Sequence, residues 1–158
     1  MIDMNEFILT NFLVENLRKG EINKIAKPQG KRVTVQREVG NGSFRADIFI
    51  SLENLNSKYK DRLNFVAIEV KIKDWKQGLY QAYRYNSFAE KSYLALYEKY
   101  CVGVDIDLFK EYNVGLISFN ETGIKVLNRP KKNSFKLEKH SIEIRKTLAT
   151  KICLAECI

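Results

Sequence analysis

The stretch that most limits how this chain can fold is Phe65–Ile72, read F-V-A-I-E-V-K-I. On a strand, successive side chains point to opposite faces. Val66, Ile68, Val70 and Ile72 then form one unbroken apolar face. The other face starts apolar with Phe65 and Ala67 and ends charged with Glu69 and Lys71. A strand apolar on both faces belongs in the middle of a covered sheet. A carboxylate and an ammonium at the end of such a strand are expensive to desolvate. They form either a plain ion pair or a catalytic site at the mouth of the sheet, and the tripeptide alone does not choose.

The flanking segments supply elements on both sides. Asp3 to Lys19 has helical spacing in Ile8, Leu9, Phe12, Leu13 and Leu17, a capping pair in Asp3 and Glu6, and Gly20 as a stop. Glu6 and Glu15 fall at the edges of its apolar stripe. Lys24 to Lys31 reads as a basic connector. Val33 to Val39 alternates as a strand, with Glu38 on its polar side as a further acidic candidate. Gly40 to Ser43 is a glycine-bearing turn, and Phe44 to Ile50 is the next strand. Its polar face carries Arg45 and Asp47, and aspartate is disfavoured within strands. Leu52 to Asn64 reads as a polar loop leading back into the Phe65 strand. Antiparallel pairing of the two strands sets the start of one against the end of the other. Asp47, Glu69 and Lys71 then meet at one end of one sheet face.

Asp74 to Ala89 reads as a helix with Trp75, Leu79, Ala82, Tyr83 and Ala89 on its buried stripe. Gln77 and Gln81 lie one turn apart along the edge of that stripe, and Tyr85 borders it beside Gln81. Lys76 and Arg84 point outward, so the helix lays its glutamines over the charged cluster. Tyr93–Tyr97, Val114–Phe119 and Ile124–Leu127 are strand-like, the last an edge strand. Asp105 caps a short helix over Ile106–Tyr112. A basic loop, Arg129 to Lys139, precedes a final helix from about Ser141 to Leu154.

Composition narrows the chemistry. The chain has 158 residues, which suits a single domain over 1–158. Its 27 Lys and Arg outnumber 19 Asp and Glu, and a formal charge of +8 suits a polyanionic partner. His140 is the only histidine, which excludes multi-histidine zinc hydrolases. Cys101, Cys153 and Cys157 form no Cys-x-x-Cys pair and suit a reducing, intracellular, cytoplasmic setting. No apolar run is long enough to span a bilayer, and the start M-I-D-M-N-E-F lacks the basic region of a secretory signal. No membrane partner is expected. Two carboxylates at one point favour a hard divalent cation, Mg²⁺ or Mn²⁺, and a neighbouring lysine can orient water or neutralise charge on a phosphodiester.

Asp47 with Glu69-Val70-Lys71, on two adjacent strands followed by a helix, resembles the PD-(D/E)xK nuclease superfamily. The resemblance implies an α/β fold of restriction-endonuclease type, a central mixed β-sheet flanked by helices with an α-β-β-β-α-β core. It makes Asp47 and Glu69 metal ligands, adds the backbone carbonyl of Val70 as a third, and gives Lys71 the catalytic role. Gln81-x-x-x-Tyr85 is similar to the Q-x-x-x-Y motif of the RecB-type branch, which adds Gln81 to the catalytic set. The first-helix glutamate of many members corresponds to Glu6 or Glu15. Arg45, Lys73, Lys76 and Arg84 are the nearby cations expected to touch nucleic acid, and Gln77, Tyr85 and Glu38 are further candidates. The sequence departs from the pattern at Ala46, where proline is usual, and its three cysteines do not match the four of cluster-bearing members. The expected activity is metal-dependent hydrolysis of nucleic acid, with DNA the expected form and a homodimer the expected assembly. The alternative is a catalytically inactive nucleic-acid-binding or assembly module of the same fold.

Overall fold

A computed structural model describes residues 5–39, 45–55, 63–134 and 139–156, with only the backbone described for 139–141 and 152–156. The element order is α1 (Glu6–Arg18), β1 (Lys31–Val39), β2 (Ala46–Asn54), β3 (Leu63–Lys71), α2 (Trp75–Arg84), β4 (Lys91–Tyr97), α3 (Ile106–Glu111), β5 (Gly115–Phe119), β6 (Ile124–Asn128) and α4 (Lys139–Glu156). The strands form one mixed six-stranded sheet in sequential order, β1-β2-β3-β4-β5-β6. β1, β2 and β3 are an antiparallel meander, β4 and β5 continue parallel to β3, and β6 returns antiparallel at the edge. The fold is α/β, with helices on both faces. None of the helices, among the described residues, is long and apolar enough to cross a membrane.

β3 occupies the interior of the sheet because both its faces are covered. Val66, Ile68 and Val70 are at most 3% exposed and pack with Leu9, Leu13 and Leu17 of α1. Each such side chain contributes about 1.5–3 kcal/mol on burial. On the opposite face Phe65, Ala67 and Phe49 pack with Phe88 and with Leu148 of α4. Beside them Leu79 and Ala82 of α2 and Phe109 of α3 cover Leu94, Leu96 and Leu116. Asp47, Glu69 and Lys71 lie on this second face, where the α4 cluster gives way to α2.

Several boundaries differ from the sequence expectation, each for a local reason. α1 starts at Glu6, not Asp3, because Asn5 is the N-cap and its Oδ1 accepts from Ile8 N at 2.9 Å. Asp3, the Gly40–Ser43 turn and Phe44 lie outside the described residues. β1 begins at Lys31 and β2 runs on to Asn54, because Lys31 pairs with Asn54 and Leu52 is buried beside Val33. The expected loop from Leu52 therefore begins later. α2 ends at Arg84 and continues as a 3-10 turn over Tyr85–Ser87, where Ser87 Oγ donates to Arg84 O at 3.0 Å and competes with the helical bond. Tyr83 does not lie on the buried stripe: it is 45% exposed, and Gly78, Leu79 and Ala82 make the helix contact with the sheet.

A buried ion pair absent from the sequence reading fixes α4 to the sheet. β4 enters the ladder only at Lys91, opposite Val66, so Phe65 N lies beyond its end. Glu90 Oε2 accepts from Phe65 N at 2.6 Å, and Glu90 Oε1 pairs with Arg145 Nη1 at 2.7 Å. Arg145 also donates to Phe88 O and Leu63 O, and its guanidinium stacks 4.7 Å from the Phe65 ring centroid. Removing one partner of a buried pair strands the other charge. Arg145→Ala is expected to lower unfolding free energy by about 3 kcal/mol in urea titrations. Adding Glu90→Gln should recover part of that loss, since an amide still accepts from Phe65 N without a charge to bury. A double variant no more stable than Arg145→Ala would contradict this account.

Candidate functional site

The β2–β3 ladder runs out beside the charged cluster. Ile48 opposite Ile68 is its last paired position, and the next step of the same register sets Asp47 opposite Glu69. There the Asp47 side chain takes over from the backbone: Oδ2 accepts from Val70 N at 2.8 Å. Glu69, 4% exposed, is held from the other side, where the Tyr85 hydroxyl lies 2.6 Å from Oε2. Each carboxylate is thus anchored by one oxygen. Among the described residues, Asp47 Oδ1 and Glu69 Oε1 make no hydrogen bond; Oε1 lies 3.9 Å from Lys71 Nζ.

The environment raises both acids. Burial pushes the Glu69 carboxyl up to about 7, and the neighbouring Asp47 charge adds to the effect. Asp47 is also raised, by burial, against the lowering pull of Val70 N–H. The Tyr85 hydroxyl is raised by burial and by Glu69. It has one hydrogen to donate but two acceptors in reach, Glu69 Oε2 and Arg45 O at 2.7 Å. A protonated Glu69 resolves this by donating to the phenol oxygen, which frees the phenol hydrogen for Arg45 O. An ionised Glu69 instead draws that hydrogen to itself.

Lys71 is largely enclosed, with 13% of its side chain exposed, and Glu6 Oε1 approaches its Nζ at 3.7 Å. Glu6 is therefore the first-helix glutamate that reaches the cluster. Glu15 is exposed and lies roughly 13 Å further along the helix axis. α2 bears on Lys71 through Gly78. A Cβ at that position would lie 2.8 Å from Lys71 Cγ and 2.5 Å from Leu94 Cδ1. Gly78, Gln81 and Tyr85 are three and four residues apart and share one helix face. Gln81 thus stands between the residue against Lys71 and the residue bonded to Glu69. Its Oε1 is buried and, among the described residues, has no hydrogen-bond partner.

The remaining candidates separate from this core. Gln77 is exposed, as are Lys73 and Lys76. Arg45 is exposed and pairs with Glu38 at 2.8 Å. Glu38 has φ 54°, a left-handed backbone uncommon for a glutamate, and contributes weakly to raising Asp47. Arg84 stacks over the Tyr80 ring, and its Nε is buried with no partner among the described residues. Val70 takes part through its N–H. The sequence reading missed Gly78 and placed Tyr85 only at the border of its stripe. The spacing Gly78-x-x-Gln81-x-x-x-Tyr85 was the available signal.

No group of three or more His, Cys, Asp or Glu side chains is close enough to hold a metal among the described residues. A Mg²⁺ site does not require one, since this ion keeps several waters and takes one or two carboxylates. Two adjacent carboxylates, each with one oxygen lacking a hydrogen bond, fit that donor set.

Glu69 makes stability depend on pH. Its folded value of about 7 exceeds the ordinary value of 4.5, so its contribution is complete below 4.5 and is lost as pH rises through 7. Metal-free protein is expected to lose about 3 kcal/mol between pH 5 and pH 8, and Glu69→Gln should remove most of that slope. Urea unfolding in EDTA at the two pH values measures this. An unchanged slope in Glu69→Gln would assign it elsewhere.

No family model matches the chain, and no curated protein matches it. Among solved structures it is similar to the SPO1766 protein of unknown function from Silicibacter pomeroyi, at TM-score 0.57 and 13% identity. The match covers 98% of this chain and 90% of that one, a likeness of fold alone.

Proposed function

We propose that this chain is a Mg²⁺- or Mn²⁺-dependent nuclease of restriction-endonuclease-like core, hydrolysing phosphodiester bonds of nucleic acid, with DNA the expected substrate. The observation that carries the reading is the meeting of Asp47 and Glu69 at the end of the β2–β3 ladder, with Lys71 beside them. The order α1-β1-β2-β3-α2-β4, with β4 parallel to β3, supports it, since the resemblance implies the same order.

Asp47 and Glu69 would hold the cation through Oδ1 and Oε1, with the Val70 carbonyl as a further ligand. Bound there, it supplies a Lewis acid for the phosphoryl oxygens and lowers the pKa of water. Val70 N–H and the Tyr85 hydroxyl keep the two carboxylates in place. Lys71, held between Glu6 and Glu69, offers a positive charge to the phosphate as negative charge builds on it. Gln81 Oε1, an acceptor without a hydrogen-bond partner among the described residues, would take a hydrogen from a water that enters the cluster. Lys73, Lys76 and Arg84 attract the phosphate backbone; Arg45 contributes less, since Glu38 already neutralises it.

Asp47→Asn and Glu69→Gln are near-isosteric and remove one negative charge each. Both are expected to abolish metal-dependent cleavage of labelled DNA while nucleic-acid binding is kept or slightly improved. Lys71→Ala should lower cleavage by about 10²–10³-fold and leave metal binding intact, because ammonium is not a ligand. Cleavage by purified Asp47→Asn protein at the wild-type rate would move the site elsewhere.

A further inference from the structure

α2 presents a second functional face. Turned away from Gly78 and Gln81, it borders a cleft of about 320 Å³ lined by Trp75, Lys76, Leu79, Tyr80, Tyr83, Leu108 and Tyr112. Four of these seven side chains are aromatic, and none is acidic. Tyr80 and Tyr83 of α2 and Tyr112 at the end of α3 are 64%, 45% and 40% exposed, an unusual outlay of ring surface around one cleft. The rings hold defined positions. Tyr83 meets Tyr112 edge-on at 5.3 Å, and Trp75 rests against the buried Phe109 at 6.1 Å.

Positive charge frames the rings. Lys76 Nζ lies 5.6 Å from the Trp75 centroid, and the Arg84 guanidinium lies 5.4 Å from the Tyr80 centroid. Among the described residues neither cation has a carboxylate partner, and the Arg84 Nε is buried without any partner. Exposed rings, two of them with an unneutralised cation over one face, fit a flat π-system carried on a polyanion: bases stack on the remaining ring surface while phosphates meet the cations. An apolar peptide would have no use for the cations, and an acidic peptide none for the exposed rings. The cleft and the site share one helix. Trp75 and Lys76 open the helix four and five residues after Lys71, and the same helix turns Gly78 onto Lys71 and Tyr85 onto Glu69.

We infer that the Trp75–Tyr80–Tyr83–Tyr112 cleft binds unstacked bases of a single-stranded segment, so that the substrate is a single strand or a duplex with a single-stranded end or flap. The inference rests on the nucleic-acid reading above and not on hydrolysis. A fully paired duplex keeps its bases stacked inside and offers this cleft nothing but phosphates.

Trp75 is the only tryptophan of the chain, so its emission reports directly on the cleft. The test uses the full chain in EDTA, titrated with a twenty-residue oligothymidylate, an abasic strand of equal length and a blunt duplex. Oligothymidylate should quench Trp75 emission and bind at least about tenfold more tightly than the abasic strand or the duplex. Tyr80→Ala and Tyr83→Ala alter exposed residues outside the carboxylate cluster. Each should weaken oligothymidylate binding by about tenfold and leave duplex binding unchanged. Equal affinity for thymidylate and abasic strands, or tyrosine variants that bind as the wild type does, would overturn the inference. So would sedimentation showing that Tyr83→Ala dissociates a dimer, because the cleft would then be covered by a second copy. Asp47→Asn separates the two claims: loss of cutting in a parallel assay with Mg²⁺ judges the carboxylate site, and Trp75 quenching in EDTA judges the cleft.

Discussion

Asp47 and Glu69 repel each other, and the surrounding structure keeps them together. The backbone ladder between β2 and β3 would space their strands evenly to the end, but it stops at Ile48 and Ile68. From there Asp47 holds β3 by a side-chain bond to Val70 N, and Tyr85, at the C-cap of α2, holds Glu69. Neither acid is free to swing away into solvent. Burial raises both carboxyls, and at Glu69 the neighbouring Asp47 charge adds to it. Structural ion pairs also perturb pKa values. Here the nearest cation, Lys71, sits at 3.9 Å from Glu69 and is shared with Glu6, so it does not neutralise the pair by close contact.

Packing at a distance from the cluster also helps to place it. The apolar face of β3 fixes the strand on α1, and that contact also brings Glu6 to Lys71. The Glu90–Arg145 pair secures the other end of β3, where the ladder with β4 has not yet begun. α2 links the two regions. Its inner face lacks a Cβ at Gly78, which allows the helix to approach Lys71 and Leu94 closely. A larger residue there would overpack the contact, at a cost of about 1–3 kcal/mol, and would displace the lysine.

The site was more legible in the sequence than its supports. Strand alternation and one antiparallel pairing suffice to bring Asp47, Glu69 and Lys71 together, because both are local rules. The choice between Glu6 and Glu15 was closed to the sequence, since it depends on how far α1 slides along the sheet. Helical periodicity places Tyr83 on the buried stripe of α2, but the flank α3 leaves uncovered is decided by tertiary packing. The Glu90–Arg145 pair was not legible in the sequence, because the partners of these residues are 25 to 82 positions away in the chain. Asn5 displaced Asp3 as the cap of α1 because either residue type can fill that role, and spacing alone does not separate them.

The central claim is that Asp47 and Glu69 share one cation, and the direct measurement is the anomalous scattering of Mn²⁺ in crystals of the chain soaked at near-neutral pH. The account predicts a single strong peak between Asp47 Oδ1 and Glu69 Oε1, within metal–oxygen bonding distance of both, and its loss in Asp47→Asn crystals soaked alike. A well-ordered cluster with no peak, or a peak bound to other residues, would contradict it.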